Sequence, residues 1–320
     1  MADEPVVIAH RGASGYLPEH TLEAKALAHG LGADYLEQDV VLTRDGVPIV
    51  LHDLWLEELT DVATVYPGRA RADGRWYAID FTLEEIRRLR QHERRAPGGA
   101  ALRWPGRFDA AGVGFRIHTL AEELAFIAGL NRSTGRHAGV YPEIKEPAWH
   151  HAEGKDITLA VLEVLAAAGY SRRGDDIYLQ CFDPRELERI RFELKSELRL
   201  VQLIGDAGEV EGVAFAAMRT DEGLDRVAAY ADGIGPHLSH LATLAPGAPP
   251  QSTGLVERAH RRGLRVHPYT FRVEQLAGWG LTAGQLNHWL FAVERADGLF
   301  TDQPDVTRAW LDRRPAAAPP

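Results

Sequence analysis

The sequence predicts an α/β fold, a TIM (β/α)8 barrel with a small inserted subdomain after the second strand and its hairpin. Three observations predict it. Eight short β-type runs alternate with longer helical patterns, as the βα units of a parallel sheet do. The 320 residues suit one such barrel, read as a single domain over 1–320. Finally, residues 54–118 form a surplus stretch too long for a simple loop.

Taken in order, the first strand is Pro5–His10, an apolar run ending on His-Arg-Gly, and helix Glu19–Gly30 follows it and closes on glycine. The second strand is Ala33–Val41. Downstream, "VVLTRDGVPIVLHD" has Asp45-Gly46 at its centre. A parallel crossover needs a dozen or more residues, so the run Val47–His52 must return antiparallel as a hairpin. With the turn centred between Asp45 and Gly46, Asp39 and His52 are expected to face one another. Residues 54–118 then form the insertion. Its eleven Arg against nine Asp and Glu make it mildly positive, which could steer an anionic substrate, although a solvated face is the plainer expectation.

Beyond the insertion come helix Leu120–Leu130, strand Gly139–Lys145, helix Lys155–Ala168 and strand Asp176–Phe182. Helix Pro184–Leu194, opened by proline, leads to strands Leu198–Ile204 and Ala231–Pro236. Helix Ser252–Arg262, strand Leu264–Thr270, helix Ala283–Ala292 and strand Asp297–Thr301 complete the barrel. The Ala/Pro-rich end, 313–320, reads as a disordered tail.

Composition narrows the function. A net charge of −10 without a basic cluster argues against a nucleic-acid partner. With no apolar run of about 18 residues, no integral membrane association is expected. The single Cys181 excludes an intrachain disulfide and a cysteine metal cage, and by parity it packs behind the barrel. Met1 to Glu4 is too short and too acidic for a signal peptide, which leaves a periplasmic protein whose leader was removed, or a cytoplasmic one. Oligomeric state is not legible.

Residues two apart in a strand share a face. Glu37 with Asp39, Glu143 with Lys145, and Gln180 with Phe182 are such pairs, and a barrel brings them to one rim with His10, Arg11 and His52. Three converging carboxylates repel one another unless a cation sits among them, and all-oxygen ligation favours Ca²⁺ or Mg²⁺ over zinc. Arg11 and Lys145 supply positive charge for an anionic substrate. Two histidines suit opposite proton-transfer roles. The sum is metal-assisted cleavage of a phosphate ester. Taken singly, each piece has a plainer meaning, a strand-end Glu-x-Asp being more often a salt-bridge partner; the conjunction is what points to chemistry. Other histidines are set aside: His237 and His240 as coincidental spacing, His150-His151 as a surface pair, and His267 as off the inward parity of Tyr269. No P-loop and no G-x-S-x-G elbow exists.

The segments "AHRGASGYLPEHTLEA", "GADYLEQDVVLTRDGVPIVLHD" and "YPEIKEP", continuing through "YLQCFDP", "YADGIGP", "VHPYT" and "GLFTDQPD", resemble the glycerophosphodiester phosphodiesterase family over roughly residues 5–312. The likeness is to the periplasmic bacterial branch. It implies His10 and His52 as the acid/base pair, Glu37, Asp39 and Glu143 as ligands of one divalent cation (Ca²⁺ favoured, Mg²⁺ the alternative), and Arg11 and Lys145 on the phosphate. His20, usually Asn in the wider family, is given no catalytic role. The implied reaction hydrolyses glycerophosphodiesters such as glycerophosphocholine and glycerophosphoethanolamine to sn-glycerol 3-phosphate and an alcohol. Gln180, Phe182 and Tyr269 are the inward candidates for a glycerol pocket. The alternatives are a phospholipase C-like or lysophospholipase D-like enzyme on the same barrel, and a catalytically silent binding barrel.

Overall fold

The computed structural model describes residues 4–96, 101–109, 112–244 and 249–313, so most of the tail lies outside the described residues. Strands β1 (Val6–Ala9), β2 (Tyr35–Leu42), β4 (Gly139–Ile144), β5 (Tyr178–Cys181), β6 (Arg199–Ile204), β7 (Gly233–Pro236), β8 (Arg265–Val266) and β9 (Gly298–Thr301) run parallel. They pair in that order, and β9 returns to β1. Between β8 and β9 the barrel is closed by Asp297 N–H on Val266 O and Phe300 N–H on Pro268 O, both 3.0 Å. β3 (Pro48–Val50) pairs antiparallel with β2.

Each barrel strand is followed by a helix. These are α1 (Leu22–Gly30), α2 (Leu120–Thr134), α3 (Ile157–Ala167), α4 (Pro184–Glu188), α5 (Asp221–Ala228), α6 (Leu255–His260), α7 (Ala283–His288) and α8 (Pro304–Arg313). Thr21, Thr119, Asp156, Asp183, Thr220 and Thr282 accept backbone N–H bonds at their starts, satisfying donors the first turn leaves free. The first helix begins three residues later than the sequence suggests, because Thr21 is its cap and Glu19 and His20 turn toward the barrel rim instead.

Both faces of the strands are buried. Outward residues such as Val7, Leu36, Val140, Leu179, Leu200 and Leu299 pack under the helices, with the unreactive Cys181 among them. Inward residues Ile8, Tyr35, Tyr141, Tyr178, Val201 and Phe300 fill the interior. Tyr141 stacks on Tyr178 with ring centroids 5.1 Å apart and meets Phe300 edge-on at 5.0 Å. His267 belongs to this layer, its Nδ1 2.9 Å from the Tyr141 hydroxyl. That corrects the expectation that it points elsewhere: it lies two residues from Tyr269 and shares its face. These rings form a floor across the barrel.

The hairpin register differs from the expected one by a residue. Val40 pairs with Val50 and Leu42 with Pro48, so Leu51, not His52, lies level with Asp39, and its N–H donates to the Asp39 carbonyl at 2.9 Å. The turn is a three-residue loop ending on Gly46 at φ +79°, where a glycine bulge takes up the extra residue. The insertion builds its own small core from Leu56, Leu59, Val62, Phe81, Ile86 and Leu89, set on Val41, Ile49 and Leu51 of the hairpin. A second correction concerns His150: it is fully buried on the short helix Pro147–Ala152, donating Nδ1–H to Glu146 O and accepting Leu42 N–H on Nε2. Only His151 is exposed.

Behind β2, Lys25 from α1 reaches both the Glu37 carbonyl and, at 2.7 Å, Glu123 of α2. Gln38 and His118 complete the carboxylate's partners. Burial alone would raise Glu123, but Lys25 beside it and the His118 hydrogen bond bring it down to about 2. A carboxyl depressed in the folded state stabilises fully above its unfolded value, and that contribution fades as pH falls from roughly 4.5 toward 2. Two outcomes are expected in urea unfolding. Lys25→Met removes the lysine cation from a buried carboxylate and destabilises by about 3–5 kcal/mol. In Glu123→Gln the stability of the protein changes less between pH 5 and 3 than it does in the wild type.

Candidate active site

Two residues along each strand from the aromatic floor, the inward side chains become polar. Glu37 follows Tyr35, Glu143 follows Tyr141, Gln180 follows Tyr178, His10 follows Ile8 and Asp302 follows Phe300, all on the C-terminal side. All ten residues singled out in the sequence (His10, Arg11, Glu37, Asp39, His52, Glu143, Lys145, Gln180, Phe182 and Tyr269) line one cavity of about 140 Å³. A hollow of about 220 Å³ on the insertion, walled by Arg90, Phe108 and Phe115, does not reach any of them.

The His-Arg-Gly turn is held tightly. Gly12 sits at φ +85°, and a Cβ there would lie 2.9 Å from the backbone of Ala24, so only glycine lets α1 approach. Arg11 itself is left-handed at φ +58°. This conformation aims its N–H at Glu37 Oε2, 2.5 Å away, while its guanidinium meets Glu19 at 2.8 Å and Asp39 at 3.3 Å.

Carboxylate oxygens of Glu37, Asp39 and Glu143 lie within 4.8 Å of one another. Burial and the neighbouring Asp39 push Glu37 well above the usual carboxylate range. Burial likewise lifts Glu143 to about 8, against the pull of Lys145. Asp39 goes the other way: burial opposes ionisation, but Lys145, then His52 and His20, hold it well below the usual value. Lys145 Nζ stands 2.8 Å from Glu143 and 3.7 Å from Asp39. Asp39 Oδ1 and Gln180 Oε1 are buried with no hydrogen-bond partner. A strained set of hard oxygen donors with orphaned acceptors fits a divalent cation. Among the described residues, a second group of the right dimensions, His151, Asp156 and Glu186, is neutralised by Arg189, which bonds both carboxylates.

Each rim histidine gives Nδ1 to a carboxylate, His10 to Asp302 at 2.7 Å and His52 to Asp53 at 2.6 Å. Nε2 is thereby the ring nitrogen left for chemistry. Burial, with Arg11 adding, lowers His10 to about 3. The His52 side chain is 31% exposed, and the same causes push it downward as well. His52 arrives not as a strand partner of Asp39 but from the bend after β3.

The three pocket candidates are less free than the sequence suggests. The Gln180 amide points at Glu37, 3.5 Å away, and the Tyr269 hydroxyl donates to Ile204 O at 3.0 Å. Phe182 meets Tyr269 edge-on and lies under Lys145 Nζ. Sequence reasoning did not single out Asp302, Glu19, Arg94, Arg107 or Arg272, and it set His237 aside. Asp302 carried a usable signal, being one residue beyond a barrel strand; the arginines of the insertion carried none among so many others. The solvated face expected for the insertion is thus corrected at Arg94 and Arg107, both buried among carboxylates. His20, given no role, is fully buried with Nε2 2.8 Å from Asp39. His237 lines the cavity, whereas His240 donates to Gly205 O, so the two share no ligand position.

Comparison with known proteins agrees with this geometry. The family model of the glycerophosphoryl diester phosphodiesterase family matches residues 10–306. A glycerophosphodiester phosphodiesterase of Haemophilus influenzae is 43% identical, with 97% of this chain and 91% of that one covered. One of Treponema pallidum is 37% identical over 98% and 93%. A solved Silicibacter pomeroyi structure assigned to the same enzyme type superposes with a TM-score of 0.71 at 25% identity, covering 98% of this chain and 94% of that one. An Oleispira antarctica phosphodiesterase solved with the product sn-glycerol-3-phosphate shares the fold, with a TM-score of 0.64 at 20% identity over 97% of each chain. Both its barrel and its sequence along nearly the whole length place the chain in the glycerophosphoryl diester phosphodiesterase family, as a phosphodiester hydrolase.

Proposed function

We propose that the rim site hydrolyses small glycerophosphodiesters, glycerophosphocholine and glycerophosphoethanolamine among them, to sn-glycerol 3-phosphate and the free alcohol. The observation that carries this reading is the triangle of Glu37, Asp39 and Glu143, with its buried unpartnered oxygen, standing between two histidines each oriented through Nδ1. The product held by the Oleispira antarctica enzyme supports it.

Glu37, Asp39 and Glu143 would hold one divalent cation, Ca²⁺ favoured and Mg²⁺ the alternative. Such an ion, when bound, supplies charge for a phosphate oxygen and acidifies the attacking hydroxyl or water. Arg11 and Lys145 are the cations of the rim and draw the phosphodiester anion onto it. The two histidines are neutral near pH 7 before substrate binds, each with Nδ1–H donated to its carboxylate and Nε2 able to accept a proton. One takes the nucleophile's proton and the other delivers one to the leaving alkoxide. The edge-on pair Phe182 and Tyr269 provides an apolar surface in the cavity, against which a glycerol carbon chain packs.

The test is release of sn-glycerol 3-phosphate from glycerophosphocholine. Chelator should abolish it and added Ca²⁺ should restore it better than Mg²⁺; release indifferent to chelator overturns the metal assignment. His10→Ala and His52→Ala should each lower kcat by about 10²–10⁴-fold with KM little changed, and Asp39→Asn should weaken Ca²⁺ binding measured calorimetrically. Lysophosphatidylcholine supplied in parallel should turn over more slowly than glycerophosphocholine; the reverse order favours a lipid-acting enzyme.

A further inference from the structure

We infer that the insertion is part of the catalytic apparatus, because two of its arginines, Arg94 and Arg107, position His52 and His10 through the carboxylates that hold them. The inference rests on the proposed role of the two histidines as proton carriers.

The two halves of the site repeat one arrangement. Asp53 accepts His52 Nδ1–H on Oδ1 and Arg94 Nη1 on Oδ2, each at 2.6 Å. Asp302 accepts His10 Nδ1–H on Oδ1 at 2.7 Å and Arg107 Nη2 on Oδ2 at 2.6 Å. Both guanidiniums are buried, at 6% and 9% exposure. Asp53 follows the hairpin and Asp302 follows β9, so neither chain proximity nor a shared helix brings the arginines to them. A carboxylate bonded on opposite oxygens cannot rotate, and the imidazole it holds keeps one tautomer and one direction for Nε2. A carboxylate bonded only to the histidine is free to swing, and its charge lies unneutralised beside the ring.

Arg94 has a further reach. Its Nε and Nη2 grip both oxygens of Glu19 at 2.8 Å, and Glu19 Oε1 also accepts Arg11 Nη1 at 2.8 Å. One guanidinium therefore fixes both a histidine and the arginine that faces the phosphate. The two halves are not equally protected. Asp302 has a second cation in Arg272, whose Nε is 2.9 Å away, whereas Asp53 depends on Arg94 among the described residues. Buried ion networks of this kind contribute little net stability, so their value here is geometric.

The experiment measures glycerophosphocholine turnover by the full-length chain with Ca²⁺ in excess, for Arg94→Met, Arg94→Lys, Arg107→Met, Asp53→Asn, the double variant Arg94→Met/Asp53→Asn, and His52→Ala. Arg94→Met is expected to lower kcat by about 10–100-fold and to raise KM, because Arg11 loosens with Glu19. Arg107→Met should lower kcat less, with KM unchanged, since Arg272 remains. The double variant should be no worse than the poorer single one, as for residues acting through one another, where an independent structural contribution would give additive losses. The ¹⁵N chemical shifts of His52 should show mixed tautomers in Arg94→Met and a single one in the wild type. Should Arg94→Met fail to fold, Arg94→Lys decides: lysine keeps the charge but cannot span Asp53, Glu19 and Glu58, which the planar fork of Arg94 meets together, so a folded protein with reduced kcat is expected. Wild-type kcat in either folded Arg94 variant, or additive losses in the double variant, overturns the inference. If His52→Ala turns over normally, the histidine assignment itself falls and this inference with it; an inactive His52→Ala beside a fully active Arg94→Met overturns the inference alone.

Discussion

Everything at the rim depends on the two-residue period of strands that are buried on both faces. Inside the barrel, Tyr35, Tyr141, Tyr178, Phe300 and His267 close the interior as one layer of rings. The next inward positions line the cavity, and there stand Glu37, Glu143, Gln180 and Tyr269, with Asp302 buried beside His10. Slipping β2 or β4 by one residue would move Glu37 or Glu143 from the rim into the packed layer between strands and helices, beside Leu36 or Val140 and away from the cations of the rim. Register and chemistry are thus specified by the same alternation.

Crowding so much charge into a small cavity sets the second constraint. Arg11, Lys145 and Arg94 each lie within ion-pair distance of more than one carboxylate. The desolvation of these ions opposes folding, and their mutual attraction offsets it only where the geometry is good. Stability must come from elsewhere, from the continuous apolar layer between strands and helices and from the smaller core that seats the insertion on the hairpin. The left-handed Arg11 backbone is one of the local costs, held by Glu37 and by α1 pressing on Gly12.

Much of this was legible in the residues. Period-2 parity placed Glu37 with Asp39, Glu143 with Lys145, and Gln180 with Phe182 on one face, and strand counting gave the barrel. What escaped were features decided by a single residue of geometry or by contacts distant in sequence. Symmetry about Asp45-Gly46 put His52 level with Asp39, but the Gly46 bulge shifts the register by one residue and His52 enters from a bend. Glu19 reads as a first-turn helical residue, yet Thr21 is the better cap and frees Glu19 for Arg11 and Arg94. His150 beside His151 looks like a surface pair, but a helix places neighbours about 100° apart, so one can be buried while the other is exposed. Nothing local distinguishes Arg94 and Arg107 from the other arginines of the insertion; only the folded chain shows which carboxylates they meet.

The two histidines share a hydrogen-bonding scheme but not an environment, and the difference bears on the proposed mechanism. His10 is buried, pressed by Arg11 and Arg272, and its Asp302 partner is shared with two guanidiniums. His52 is partly open to solvent and its Asp53 partner meets one. A carboxylate drained by two cations stabilises an imidazolium less than one drained by a single cation, and burial opposes that charge further. Arg11 opposes protonation at both rings, Lys145 adds to it at His52, and the two guanidiniums on Asp302 add to it at His10. The acid/base roles proposed for His10 and His52 call for two groups in different environments, and the unequal neutralisation of Asp302 and Asp53 is the feature that would distinguish them with the same residue type at both positions.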